Sequence, residues 1–575
     1  MKEMETSTLK VTMLLMLTSK SLTKKTEHWT YVHGSGGLSM SEVPILEETD
    51  RTTGRDALRK NIQAAIALAG AVRSTLGPKG LDKLLVDDEG RSMVTNDGIT
   101  VLESAKVEHP IAHMLISASA TQDQTVRDGT TTTVLLAAEW LQNAWHLVVQ
   151  GVHPATIARG YRIAEQFCRD AMPELSVEAS KEQILAATKT SLAGKLHTQM
   201  QSVIAQCALS AAETIAMGSK GKMVADPTRV KVITRSGPTL DESNLITGLA
   251  LAKKRAHRDM PSTLGPGSIL LVDGGLELRS MSTDVKLNVT STEVLQSFRD
   301  AEHKRLLNQV ERLSSLGINV LACREGIDDA MHSHLAKAGI QAFRRVAKSD
   351  LELLARGCGA LLVPTIHQAR KEDVGVFIKS YCERWGDSEH WILEADEGGA
   401  TFVATGSTET VVAEVERCFA DALGVACRLM ESPKLVPGGG ATYIALARRL
   451  RRFAETVPGR EQLAIEAFAD GLETVPRVLA ENAGMDPIDT LLQVVSIQST
   501  KNDDSIGLNV NSKLPEDMMQ CEVVEPARVI EQAISGASEV SVAVLRIDDV
   551  LWARQEISVP EDVQASLDGT APDRR

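Results

Sequence analysis

The chain has 575 residues, too many for one hydrophobic core, and a norm of about 150 residues per domain implies several domains. Lys and Arg number 62 against 76 Asp and Glu, a formal net charge of −14, which disfavours a general binder of nucleic-acid backbones. Hydrophobic residues at 43% and charged residues at 24% exclude a wholly disordered chain, and aromatics at 3% make the core aliphatic. Eight cysteines without a C-x-x-C pair argue against a zinc knuckle or a disulfide framework and for a reducing compartment, the cytoplasm. No apolar run approaches the ~18 residues that span a bilayer, so neither membrane nor nucleic acid is an expected partner.

In chain order, residues 1–42 read as an atypical, disordered extension, with Met40 offering a second start. Ile62, Ala65, Ile66, Leu68, Ala69 and Val72 recur at helical spacing and stop at Leu76-Gly77-Pro78-Lys79-Gly80. Leu84–Val86 and Ser92–Thr95 read as a hairpin ending in Asn96-Asp97-Gly98. Asp128-Gly129 precedes Thr130–Thr133 and a buried helix, placing Asp128 at or just before its N-cap.

In the middle of the chain, Ile269–Val272, Ile318–Ala322, Ile340–Val346 and Ala360–Pro364 alternate with helical segments, the pattern of an α/β domain. Asp328 and Asp329 open one such helix, which closes at Gly339, and Ser349-Asp350 opens the next. The stretch Leu287–Gly317 reads as one long helix or a pair. Helices are expected again at Glu414–Met430, Ala441–Phe453, Glu461–Asn482 and Ala527–Ala553. Helical ends around an α/β middle describe a chain that leaves its first domain, builds others and returns.

Four clusters carry the residue types that handle phosphate or Mg²⁺: Leu76-Gly77-Pro78, Asn96-Asp97-Gly98, Asp128-Gly129-Thr130-Thr131-Thr132 and Gly438-Gly439-Gly440. Glycines let backbone N–H groups reach an anion, and a helix N-terminus adds partial positive charge there. A carboxylate such as Asp128 can hold Mg²⁺ between phosphate oxygens. Taken singly, each cluster reads more simply as a turn or a helix cap. The chain has no G-x-x-x-x-G-K-[ST], which excludes a Walker-type site. His332 and His334, two apart on an expected helix, point to different faces and make a poor metal pair.

The four clusters, in this order, resemble those of the group II chaperonins. So do Arg73–Val86, Val107-Glu108-His109-Pro110, Gly459–Ala464, Leu479–Gly484, Val524-Glu525-Pro526 and Leu545–Asp549, over about residues 43 to 555. The resemblance implies a multidomain α and α/β chaperonin subunit that folds non-native polypeptides with ATP. A helical equatorial ATP-binding domain (43–182 and 438–557) and a small intermediate domain (183–247 and 401–437) would carry an α/β apical domain (248–400). A helical protrusion at about 285–317 would form a built-in lid, and the tail 558–575 receives no role. Partners would be non-native polypeptides and other subunits in a stacked double ring. ATP and Mg²⁺ are the implied cofactors, with K⁺ as a further candidate.

Residue by residue, the resemblance makes Leu76, Gly77, Pro78, Gly129, Thr130, Thr131, Thr132, Lys195, Gly439 and Gly440 nucleotide contacts. Asp128 becomes the metal ligand, Asp97 the acid near the γ-phosphate and Asp421 the carboxylate that prepares the attacking water. By themselves, Asp421 and Lys195 read as solvated surface groups. One departure stands out: Arg127 precedes Asp128, where the family has glycine. A positive φ there would cost a side chain about 1 kcal/mol, and the guanidinium is expected close to the phosphates. Retained ATP binding with altered turnover is expected, and a second reading is a hydrolysis-impaired scaffold or mixed-ring subunit. Tyr443 and Ala445 also stand where the family often has acidic residues, and Asn511-Ser512-Lys513 is short for an adenine-side turn.

Overall fold

The computed structural model describes residues 49–553, apart from 87–88, 91, 106, 220–221, 238–241, 278–295, 297–303, 305–306, 386–387 and 396–398. These residues fall almost wholly within one compact unit, Thr52–Val550. The expected extension 1–42 and tail 558–575 lie outside the described residues, as does the expected lid up to residue 306 except for 296 and 304. From 307 to 315 the chain is helical, and Val310 and Leu313 are buried.

Five helices open the fold, a hairpin separating the first from the second: α1 (Gly54–Val72), α2 (Gly98–Ser104), α3 (Pro110–Val126), α4 (Thr130–Val149) and α5 (Pro154–Leu175). The hairpin Lys83–Val86 with Ser92–Thr95 pairs in antiparallel register, Lys83 opposite Thr95. Proline begins α3 and α5, where a missing N–H costs nothing, and His109 and His153 cap those helices through Nδ1. Helix α4 is apolar on nearly every side and lies buried at the centre.

Two further helices, α6 (Lys181–Ser191), started by a Ser180/Gln183 capping box, and α7 (Thr198–Ile215), lead into the middle of the chain. There Gly267–Val272 lies between the parallel strands Val320–Cys323 and Leu362–Val363. Gln341–Phe343 extends this sheet in parallel and Gly375–Phe377 pairs with it antiparallel. Helices α8 (Asp329–Lys337) and α9 (Lys348–Cys358) make the crossovers, α9 beginning from Ala347 rather than at Ser349-Asp350. An antiparallel sheet of Thr263–Leu264, Lys379–Trp385, Ser388–Glu394 and Leu249–Leu251 stands beside it. A three-stranded sheet, with Ala400–Gly406 between Val230–Ser236 and Asn244–Thr247, returns the chain.

The last third is helical: α10 (Glu409–Glu431), α11 (Ala441–Ala454), α12 (Glu461–Leu472), α13 (Thr474–Asn482), α14 (Pro487–Lys501) and α15 (Ala527–Leu545). Helix α10 starts five residues before the expected Glu414, because the Thr408 side chain caps it by accepting from the Val411 N–H at 3.3 Å. The expected helix Glu461–Asn482 is two helices. Pro476 brings no N–H to the first turn of α13, and the break falls at Glu473, which is buried and pairs with Arg451 and Arg477. The expected helix to Ala553 ends at Leu545, and Asp549–Ala553 is a strand. Two aspartates disfavour helix at 548–549, and the run that follows, with Val550 and Trp552, suits extended chain.

One hydrophobic core joins both ends of the chain, drawing Leu58–Leu175 together with Val436–Leu545. Its aromatic joint is Trp140, stacked on Phe468 at 3.9 Å and donating its indole N–H to the Phe468 carbonyl at 2.9 Å. Tyr161 meets Phe468 edge-on and donates to the Trp140 carbonyl at 2.6 Å. A second core combines α7 with the strand Ala400–Gly406 and α10. Two more lie on either side of the five-stranded sheet.

Candidate functional site

A cavity of about 270 Å³ opens between the two ends of the chain, lined by the segments that the sequence singles out. Thr75–Pro78, Asn96–Gly98, Asp128–Thr132, Lys195 and Gly439 all face it. Gly440 does not line it but caps α11 directly behind Gly439.

Each lining segment is held by its own local chemistry. The Leu76-Gly77-Pro78 turn is fixed by Asn482, whose Nδ2 donates to the Leu76 carbonyl at 2.9 Å and the Arg73 carbonyl at 3.2 Å. Asp97 is the N-cap of α2, its Oδ2 accepting from the Thr100 N–H at 3.1 Å, so the simple capping role and a place in the cavity coexist. Gly129 is the N-cap of α4, with Asp128 just before it as the sequence allows, and holds φ 78°, the left-handed region where glycine is favoured. That turn aims the first N–H groups of α4 and the Asp128 carboxylate toward one space. Asp128 Oδ1 accepts from the Gly129 N–H at 2.7 Å.

The loop before Lys195 approaches the Gly77-Pro78 turn so closely that a Cβ on Gly194 would stand 2.9 Å from the Gly77 carbonyl oxygen. Lys195 then points inward, with Nζ 2.6 Å from Asp421 Oδ2, the two side chains only 18% and 16% exposed. Neither is the solvated surface group that each resembles in isolation. Asp421 does not line the cavity and reaches it through Lys195.

Burial dominates the electrostatics. Low-dielectric surroundings push the Asp421 carboxyl up to about 6, the Lys195 ammonium opposing this while Asp97 and Asp128 add to it. Burial likewise raises Asp128, against Lys195 and the Gly129 N–H. For Lys195, burial disfavours the ammonium, but Asp421, with Cys418 and Asp128, raises its pKa on balance. A cluster of carboxylates around one ammonium is short of positive charge, which suits a cation arriving with an anion.

Residues without a motif complete the walls. Buried Gln122 on α3 donates to the carbonyls of Asp128 at 2.8 Å and Val529 at 3.1 Å, fixing the loop from behind. Glu525, on a strand paired with Lys434–Pro437, lines the cavity, and burial followed by the nearby Asp128 charge lifts it to about 8. Tyr443 lines the cavity too, whereas Ala445 is buried in the helical core. Asn511 reaches the cavity from the hairpin Ile506–Asn509 with Leu514–Asp517. The string Val524-Glu525-Pro526 and the departures at Tyr443 and Asn511 give these walls some signal in the sequence, whereas Gln122 gives none.

Arg127 corrects one expectation. Its backbone does sit at φ 59°, but Arg127 does not line the cavity, and its guanidinium pairs with Asp123 at 3.1 Å. As for the histidines, His332 is buried and stands 3.5 Å from Asp329. Among the described residues, no group of three or more His, Cys, Asp or Glu could hold a metal by itself.

Residues 68–555 match the model of the TCP-1/cpn60 chaperonin family. The chain belongs to this family. It is 40% identical over 523 residues to a thermosome subunit of Methanopyrus kandleri, covering 89% of this chain and 95% of that one. It is 40% identical over 519 residues to a thermosome subunit of Pyrococcus horikoshii, covering 89% and 94%. The beta thermosome subunit of Thermoplasma acidophilum is 38% identical over 512 residues, covering 88% and 94%. The chain is thus a chaperonin subunit of the group II kind, an ATPase-driven chaperone whose family uses nucleotide, forms oligomeric rings and binds unfolded substrates. No described helix is long and apolar enough to cross a membrane.

Proposed function

We propose that this cavity is the ATP-hydrolysing centre of the chaperonin. The convergence of four Gly- and Asp-bearing segments from both chain ends onto one buried Lys195–Asp421 pair carries the reading. Thr130, Thr131 and Thr132, at the start of α4, together with Gly77, Pro78 and Gly129, would receive the phosphates. Asp128 would hold Mg²⁺, and the site fits it, since this carboxylate faces the cavity in surroundings that disfavour its charge. Bound Mg²⁺ would neutralise phosphate charge and fix the phosphate oxygens. Lys195 would complement the terminal phosphate, Asp97 in the wall would align the attacking water, and Asp421, set behind Lys195, would accept its proton through one bridging water. Gly439, Glu525 and Tyr443 would meet the sugar and base, the buried Glu525 carboxyl offering hydrogen bonds to hydroxyl groups.

In this reading the core shared by both chain ends is the equatorial domain, 43–182 and 438–557. Segments 183–247 and 401–437 form the intermediate domain, and 248–400 the apical domain with its lid. Subunits would stack as a double ring that encloses non-native polypeptide, and the eight free cysteines suit a cytoplasmic setting. Binding is tested by melting the protein with and without nucleotide. Millimolar MgATP is expected to raise the melting temperature by several degrees, and EDTA to remove most of that gain, by mass action on the folded state. No shift at any MgATP concentration would contradict the reading.

A further inference from the structure

Helix α10 meets the segments that build the cavity along a single stripe. Arg417 Nη1 lies 3.6 Å from Met93 Sδ on the hairpin, Asp421 binds Lys195, and Gly424 lies against Arg127. Positions 417, 421 and 424 follow at i, i+4 and i+7, one face of a helix. The third contact is the tightest. A Cβ on Gly424 would stand 2.3 Å from Arg127 Cγ and 2.4 Å from its Cβ, and the next nearest atom, at 3.6 Å, is again from Arg127. These are the stiff inner atoms of the arginine, and the outer end is tied to Asp123 one turn back on α3. Backbone at φ 59° in a non-glycine residue persists only where the surroundings hold it, and here the side chain is held at both ends.

We propose that Arg127 is a positioning residue for hydrolysis. Its stem fills the hole left by Gly424 and sets the distance between the Asp128 loop and the helix that carries Asp421. The claim rests on the ATP reading of the cavity. Because Arg127 does not line the cavity, it acts on the chemical step through α10 rather than on nucleotide affinity.

The test is a double-mutant cycle on the assembled protein, reading kcat and KM for MgATP together with melting temperature. Gly424→Ala is expected to lower kcat about tenfold with KM within about twofold, since the new methyl can enter only by pushing α10 off Arg127. Arg127→Gly is expected to lower kcat about threefold, again at nearly constant KM. In the Arg127→Gly background, Gly424→Ala is expected to cost no further kcat and to raise the melting temperature, because the three atoms nearest the methyl, all from the Arg127 side chain, are gone and alanine favours helix. If Gly424→Ala alone fails to assemble, the double variant is expected to assemble. Equal cost of Gly424→Ala with and without Arg127, or a double variant that fails like the single one, would overturn the proposal. So would losses that appear in KM rather than kcat. A parent that hydrolyses no ATP would remove the ATP reading and the kinetic role with it, while the melting temperatures would still decide the packing between Arg127 and Gly424.

Discussion

Asp128→Ala is expected to lower ATP turnover on the order of a thousandfold and to abolish its dependence on Mg²⁺. The carboxylate stands at the turn into α4, bound to the Gly129 N–H and facing the same space as the first N–H groups of that helix. Without it the phosphates would still meet the helix N-terminus and Lys195, so weak nucleotide binding is expected to persist in EDTA. Turnover measured across a Mg²⁺ titration checks this, and a variant that keeps the parent's Mg²⁺ dependence would place the metal elsewhere.

Asp421→Ala is expected to lower turnover about a hundredfold or more while leaving MgATP affinity within a few fold, since Asp421 stands behind Lys195 and not in the wall. Removing it also leaves a buried ammonium unpartnered, so Asp421→Asn, which keeps the volume, separates lost chemistry from lost packing. The pH dependence has a definite sign. Asp421 must be ionised to accept a proton, and burial lifts it to about 6, so turnover is expected to fall as pH drops through that region. Lys195→Gln removes the cation that holds Asp421 down, and the acid limb is expected to move to higher pH. A limb that stays in place would uncouple the two residues.

The chain alone shows what depends on residue type and short spacing. Asp128-Gly129 followed by threonines marks the start of a helix, and the strand runs from Ile269 to Pro364 alternate with helices as the sheet requires. What it hides depends on distant partners. Gln122 looks like any polar helical residue until the fold sets it between the carbonyls of Asp128 and Val529. Glu525 matters because its strand pairs with Lys434–Pro437, bringing it to the cavity. Lys195 and Asp421 look solvated because nothing near either in sequence announces the other, 226 residues away. The break at Glu473 is masked by apolar periodicity that continues on both sides of it, and Arg127 reads as a neighbour of the phosphates because its adjacency to Asp128 is visible in the chain, while its pairing with Asp123 depends on how α3 ends.

The central claim is that this cavity hydrolyses ATP, and phosphate release from MgATP by the purified, assembled parent protein tests it most directly. Slow, saturable release that stops in EDTA is the expected result, as an ATPase timing a conformational cycle would give. An intact assembly that binds nucleotide and releases no phosphate would contradict the account and favour a scaffold or mixed-ring subunit.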